Sequence, residues 1–160
     1  MRHAGSMALC IDKITGSRER NPMENCLKVG ILGAGNIAGS MAEALNELQK
    51  EGKACAYAVA SRSQEKALEF ARKWNITRAY SSYEELASDQ EVDLIYIATP
   101  HSLHYEQAKL CMEHGKNVLV EKAFTANARQ AEELFAMAEE KKVFITEAIW
   151  TRYMPSREII

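Results

Sequence analysis

The sequence predicts an α/β fold, a doubly wound parallel sheet, on three observations. Leu27 to Ala38 reads as a strand, a tight glycine turn and a helix start. Short apolar runs then alternate with segments of helical period as far as Thr146. Each changeover carries turn or capping residues rather than a long connection. Strands that alternate with helices pair in parallel through right-handed crossovers, which gives the strand order 3-2-1-4-5-6. A ligand then binds at the carboxyl ends of the strands, near the switch point between the first and the fourth.

The first strand ends in Gly33, Gly35 and Ala38 at G-x-G-x-x-A spacing. Gly33 makes the tight turn, Gly35 lets a pyrophosphate approach the backbone, and Ala38 lets the helix pack closely on the strand. The N–H groups of the helix start then face the anion. Ile37, Met41, Ala44, Leu45 and Leu48 recur at helical spacing as the inner face of that helix, which Gly52 stops. Lys53 to Ala60 is short and apolar, as a buried parallel strand should be. Ser63 caps a second helix with the inner face Ala67, Leu68, Ala71 and Trp74. A brief strand at Arg78 to Tyr80 precedes Ser82 and Glu85, which have the spacing of a capping box. Val92 to Ala98 is the fourth strand. Leu103, Ala108, Cys111 and Met112 suit a helix from Ser102 to His114, stopped by Gly115. Asn117 to Val120 is the fifth strand. Asn127 with Gln130 caps a last helix whose face is Ala131, Leu134, Phe135 and Ala138, and Val143 to Thr146 is the sixth strand.

With 160 residues, 47% hydrophobic and 26% charged, the chain has the apolar content of one globular core. A formal net charge of −2 and the lack of any Lys/Arg-rich run argue against nucleic acid or a membrane surface as partner. No apolar run reaches transmembrane length. The expected ligand is small. Cys10, Cys26, Cys55 and Cys111 are far apart and lack metal-ligand spacing, so they read as buried free thiols of a reducing cytoplasm, and no metal site is expected. Residues 1–22 carry neither an export signal nor a sustained period and read as a disordered or vector-derived tail. Residues 23–148 form the dinucleotide-binding domain, and 149–160 begin a connection to a further domain.

In NAD sites of this architecture an acidic residue ends the second strand and accepts from the ribose 2′-OH. Here that strand ends in Ala60-Ser61-Arg62-Ser63, without a carboxylate. A guanidinium pairs with a 2′-phosphate in bidentate fashion and a hydroxyl adds a donor, so Ser61 and Arg62 favour NADP over NAD. The missing carboxylate also argues against a methyltransferase of related fold. Thr99, Pro100, His101 and His104 follow the fourth strand, in a loop that faces the cofactor ribose and nicotinamide in this geometry. By themselves the two histidines also fit solvated or structural roles. Glu121 and Lys122 follow the fifth strand at the same edge. A lysine there could polarise an oxygen or move its proton during hydride transfer if burial or the positive nicotinamide ring lowers its pKa. A surface Glu and Lys at a strand end is the other reading.

The segments GILGAGNIA, ASRS, ATPHSLHYEQAKLCMEHGKNVLVEKA and TEAIWTRYMP occur in that order. In this combination Leu27 to Ile160 resembles the Gfo/Idh/MocA oxidoreductases, and EAIWTRYMP resembles their dimeric dihydrodiol dehydrogenase branch. The resemblance implies a nicotinamide-binding Rossmann half followed by a second α+β domain that carries most substrate contacts and the surface of a homo-oligomer. It implies that Gly33, Gly35, Asn36 and Ile37 hold the pyrophosphate, and Ser61 and Arg62 the adenosine 2′-phosphate. Thr99, Pro100, His101 and His104 would line the nicotinamide end, and Trp150 and Arg152 would approach cofactor or substrate. Lys122 matches the lysine of the family's Glu-Lys-Pro motif, to which substrate orientation and proton transfer are assigned, with Glu121 beside it.

Two departures from the family pattern stand out. Ala123 replaces the proline of Glu-Lys-Pro, where the family often has a cis bond. A cis bond to a non-proline residue costs about 2.5 to 4 kcal/mol, so Lys122-Ala123 is expected to be trans, which displaces Lys122 and would weaken catalysis if the shift reached on the order of an ångström. The sequence also reaches Ile160 before the substrate domain, so the family's downstream acid/base residues fall outside it. The function expected is therefore that of the NADP-binding half of an oxidoreductase acting on a sugar, polyol or cyclic diol, with NAD as the alternative cofactor. The rival expectation is a non-catalytic nucleotide-binding or interaction module.

Overall fold

In the computed structural model, which describes residues 26–149, six apolar runs become strands. They are β1 (Leu27–Leu32), β2 (Ala54–Ala60), β3 (Arg78–Tyr80), β4 (Leu94–Ile97), β5 (Asn117–Val120) and β6 (Ile145–Glu147). All pair in parallel, in the order β3-β2-β1-β4-β5-β6, as the alternating pattern requires. Leu32 lies beside both Ala60 and Ile97, so β1, β2 and β4 end level with one another. Their following residues, Gly33, Ser61 and Ala98, therefore share one edge.

The helices are α1 (Asn36–Lys50), α2 (Gln64–Trp74), α3 (Tyr83–Ser88), α4 (His104–Glu113) and α5 (Ala128–Lys141), with a 3₁₀ turn at His101–Leu103 ahead of α4. Side chains alternate across the sheet with the period of a strand. Leu27, Val29, Ile31, Leu94 and Tyr96 meet Met41, Leu45 and Leu48 of α1 and Phe70 of α2. Leu32, Ile95, Ile97 and Val118 face the other way, against Leu86, Met112, Leu134 and Ala138. Burial on both faces is what makes the strands read as nearly continuous apolar runs. Each fully buried Leu or Ile adds roughly 1.5–3 kcal/mol of stabilisation.

Capping residues stand where the sequence placed them. Ser63 accepts from the Lys66 N–H at 3.4 Å, Asn127 accepts from the Gln130 N–H at 3.1 Å, and Ser82 and Glu85 form a complete capping box. The inner faces differ at their margins. Ile37, Leu68 and Phe135, expected inside, are 44%, 39% and 51% exposed. Ile37 sits in the first turn of α1, ahead of the point where the helix meets the sheet, and the buried stripe runs instead through Ala38, Met41, Ala42 and Leu45. Phe70 takes the core position in α2, and Phe135 stacks on Phe124 with ring centroids 5.3 Å apart. The sixth strand starts two residues later than expected because the Val143 N–H closes the end of α5 on the Ala138 carbonyl, with Lys142 left-handed between them. No described helix is long and apolar enough to cross a membrane. The tail, Cys10, Trp150 and Arg152 lie outside the described residues.

Candidate functional site

The two glycines of the turn answer to different demands. Gly33 has φ +106, and a Cβ on it would stand 2.8 Å from the Ala98 carbonyl oxygen, so the protein's own packing requires glycine there. Its N–H donates to Ala60 O at 2.9 Å, pinning the turn to the end of β2. Gly35 has an ordinary extended backbone, and a Cβ on it would meet nothing within 4 Å. Gly35 is the N-cap of α1, which has no side-chain cap and no acidic residue in its first turn. By contrast α2, α3 and α5 begin on Ser63, Ser82 and Asn127, whose side chains accept from first-turn N–H groups. Gly35, Asn36 and Ile37 are all exposed. The start of α1 therefore offers backbone N–H groups, at the positive end of the helix dipole, to an anion approaching from outside. A cleft of about 480 Å³ opens beside it between α1 and α2, lined among others by Asn36, Gly39, Lys66 and Trp74.

Past β2, Ser61 donates its N–H to Tyr80 O at 3.2 Å, and its hydroxyl accepts from the Ser63 N–H at 3.4 Å. Both contacts hold the Ser61–Ser63 bend. Arg62 within it is exposed and makes no ion pair among the described residues. A fixed backbone carrying an unpaired guanidinium suits recognition of an anion.

Past β4 and β5 the loops are braced from inside. Thr99 is buried, and its hydroxyl donates to Gln107 Oε1. His104 is fully buried, with Nε2 at 2.9 Å from Thr99 O and Nδ1 at 2.8 Å from Ala123 O. A neutral ring donates to one of these carbonyls at a time. The ring joins the two loops from behind, and Pro100 and His101 form the exposed surface in front. The Tyr96 hydroxyl donates to Glu121 Oε1, while Glu121 Oε2 accepts the Lys122 N–H at 3.1 Å. Burial, and after it the Glu121 carboxylate, pushes the Tyr96 phenol up from its ordinary value, so it remains a donor. With its carboxylate held in this way, Glu121 forms no ion pair with the exposed ammonium of Lys122.

The Lys122-Ala123 bond is cis, which corrects the trans geometry expected from the local cost. The surroundings specify the backbone on each side of that bond. Lys122 N–H is held by Glu121, Ala123 O by His104, and Phe124 N–H by Glu147 Oε1 at 2.8 Å.

Sequence reasoning missed Tyr96, Gln107 and Glu147. Two of them had a signal: Tyr96 is the hydroxyl-bearing residue in an otherwise apolar strand, and Gln107 shares a helix face with Leu103 and Cys111. Glu147 had none, because its role depends on where β6 ends. Strand order sets Ser61 and Arg62, Gly33 and Gly35, Thr99 to His101, and Glu121 with Lys122 side by side along one edge. From β2 to β5 that edge spans roughly 14 Å at the usual spacing between strands, room for an extended ligand.

The GFO_IDH_MocA model, described as an oxidoreductase family with an NAD-binding Rossmann fold, matches residues 27–148. The chain is 42% identical over 133 residues to a trans-1,2-dihydrobenzene-1,2-diol dehydrogenase of Xenopus tropicalis, covering 83% of this chain and 40% of that protein. It is 41% identical over 138 residues to a D-xylose 1-dehydrogenase (NADP(+)) of Hypocrea jecorina, covering 81% and 35%. A crystal structure of a 3-ketoreductase from Actinomadura kijaniata in complex with NADP matches with a TM-score of 0.77 at 31% identity, over 84% of this chain and 42% of that one. The chain thus spans about two fifths of the length of the first of these relatives.

Proposed function

The chain belongs to the Gfo/Idh/MocA oxidoreductase family, and from that premise we propose that it is the part of such an enzyme that holds NADP, with residues 23–148 as the binding domain and 149–160 leading toward a substrate domain. The observation that carries this reading is Gly35. None of the described residues needs a glycine there, so its smallness serves a ligand that lies against the backbone. The N–H groups at the start of α1 hold the pyrophosphate between Gly33, Asn36 and Ile37. Ser61 and Arg62 take the 2′-phosphate, and NAD, lacking it, binds more weakly.

The whole enzyme oxidises or reduces a sugar, polyol or cyclic diol, and the nicotinamide supplies or accepts the hydride. Thr99, Pro100 and His101 form the wall beside the ring, and His104 holds that wall in place from within. Lys122, on a backbone braced by Glu121 and His104, orients the substrate oxygen and moves its proton. Trp150 and Arg152, which match residues that approach cofactor or substrate in the dihydrodiol dehydrogenase branch, belong to the same reading. A small-molecule partner, supported by the net charge of −2 and the lack of a basic run, belongs to the same reading, as do assembly into a homo-oligomer through the substrate domain and a cytoplasmic setting.

Calorimetric titration with NADP and NAD tests the proposal. Saturable binding of NADP is expected, with Arg62→Ala weakening it about 10- to 100-fold, the value of charge-assisted hydrogen bonds to one group, while leaving NAD nearly unchanged. Failure of the folded protein to bind either nucleotide overturns the reading. Equal losses for both nucleotides overturn the 2′-phosphate assignment.

A further inference from the structure

We propose that Cys26 and Cys55 are a reactive thiol pair that closes to a disulfide when the chain meets a small disulfide such as oxidised glutathione. Cys26 directly precedes β1, and Cys55 is the second residue of β2. The Leu27 N–H donates to Lys53 O at 3.0 Å and Leu27 pairs with Ala54, which sets the two strand starts side by side. Cys26 Sγ lies 2.7 Å from Cys55 Sγ. A disulfide bond is about 2.05 Å long, so the two sulfurs already stand within ~1 Å of bonding distance. The two sulfurs differ in access: Cys26 is half-buried and Cys55 buried. Burial, followed by the hydrogen bond with Cys26, pushes the Cys55 thiol up to about 12. Cys111, the other described cysteine, is fully buried.

Access sets the order of the chemistry. Cys26 loses its proton to solvent, and its thiolate attacks one sulfur of oxidised glutathione. The oxidant's S–S bond breaks, and one glutathione leaves as a thiolate. That thiolate takes the Cys55 proton, and the Cys55 sulfur attacks the Cys26 sulfur of the mixed disulfide. The second glutathione then leaves and is protonated from solvent. Two cysteine thiols are oxidised and one glutathione disulfide is reduced to two thiols. The closed loop, Cys26 to Cys55, contains β1, the glycine turn and α1. In a reducing compartment the pair stays open, and it closes as the ratio of disulfide to thiol rises.

Incubation of the folded chain with oxidised glutathione, followed by alkylation, intact mass measurement and a non-reducing peptide map, tests the pair. Expected are the loss of two of the four cysteine thiols, a Cys26–Cys55 linked peptide and no retained glutathione. Cys55→Ser, or Cys55→Ala if the serine variant does not fold, should keep glutathione on Cys26. Cys111→Ser should behave as the parent chain does. The proposal is overturned if both thiols stay free in protein whose circular dichroism remains folded, if Cys26 keeps its glutathione in the parent chain, or if Cys26 links to Cys10 instead.

Discussion

At the amino edge of the sheet charged side chains are held by partners within the protein, whereas at the carboxyl edge the cationic ones are left facing outward. On the amino side, Asp93 Oδ2 accepts the Lys28 N–H at 2.9 Å, Asp93 O accepts from Asn117 Nδ2 at 3.0 Å, and Asn117 Oδ1 accepts the Phe144 N–H at 2.9 Å. One line of side chains so laces the starts of β1, β4, β5 and β6. Beside it Asp89 receives Arg78 Nη1 on both oxygens at 2.9 Å and the Tyr80 hydroxyl at 2.8 Å, while Lys116 Nζ donates to Asp89 O at 2.6 Å and to Val92 O at 3.0 Å. On the carboxyl side, Arg62 and Lys122 are exposed and make no ion pair among the described residues. Both are positive, as is the uncapped start of α1. One edge is closed on itself for stability, and the other leaves its cationic side chains exposed to solvent.

The largest effect should come from the closed edge. Asp89→Asn removes the buried charge that Arg78, the Tyr80 hydroxyl and the Glu91 N–H share and should cost about 2–4 kcal/mol in urea unfolding. Burial raises the Asp89 carboxyl, but the Glu91 N–H, the Tyr80 hydroxyl and Arg78 outweigh it and hold it below the usual carboxylate range. A lowered folded-state value gives stability that is present above the unfolded pKa and disappears as pH falls through the folded one. Stability followed from pH 7 into acid should therefore fall below the ordinary carboxylate range, and Asp89→Asn should flatten that limb. An unchanged acid limb would show that the pairing is not what holds the edge.

Next in size is the contrast within the glycine turn. Gly33→Ala combines a left-handed backbone with a 2.8 Å approach to Ala98 O and should cost about 2–3 kcal/mol. Gly35→Ala should leave stability within about 0.5 kcal/mol, yet, on the proposed placement of the pyrophosphate, weaken NADP roughly tenfold or more by filling the space beside the backbone. Equal destabilisation by the two substitutions would erase the distinction between a glycine the fold needs and one a ligand needs. The smallest effect belongs to Lys122→Ala: as an unpaired surface residue it should change the unfolding free energy by under about 0.5 kcal/mol. A larger loss would mean that its ammonium braces the carboxyl edge.

Features governed by short-range rules were legible in the sequence. Strand order followed from alternation and handedness, the caps at Ser63, Ser82 and Asn127 from residues three apart, and the turn from the steric freedom of Gly33. The helix faces were legible to within one position, since Ile37, Leu68 and Phe135 sit at the rims of apolar stripes where a small rotation decides burial. The bracing of the site was not legible. Tyr96 with Glu121, His104 with Ala123, and Phe124 with Glu147 are 25, 19 and 23 residues apart, and their meeting depends on how whole strands register. The cis bond at Ala123 belongs with them: a local energy argues against it, and partners distant in sequence surround it.

The buried ring of His104 also acts as a ruler. An imidazole is a rigid plate whose width is set by covalent bonds, and here each end of it touches a different loop, through Thr99 O and Ala123 O. The gap between those loops is thus gauged by an aromatic ring rather than by the loops' own torsional preferences. A flexible side chain of similar length would let the gap breathe; this one keeps the floor beneath Pro100, His101 and Lys122 at a constant span.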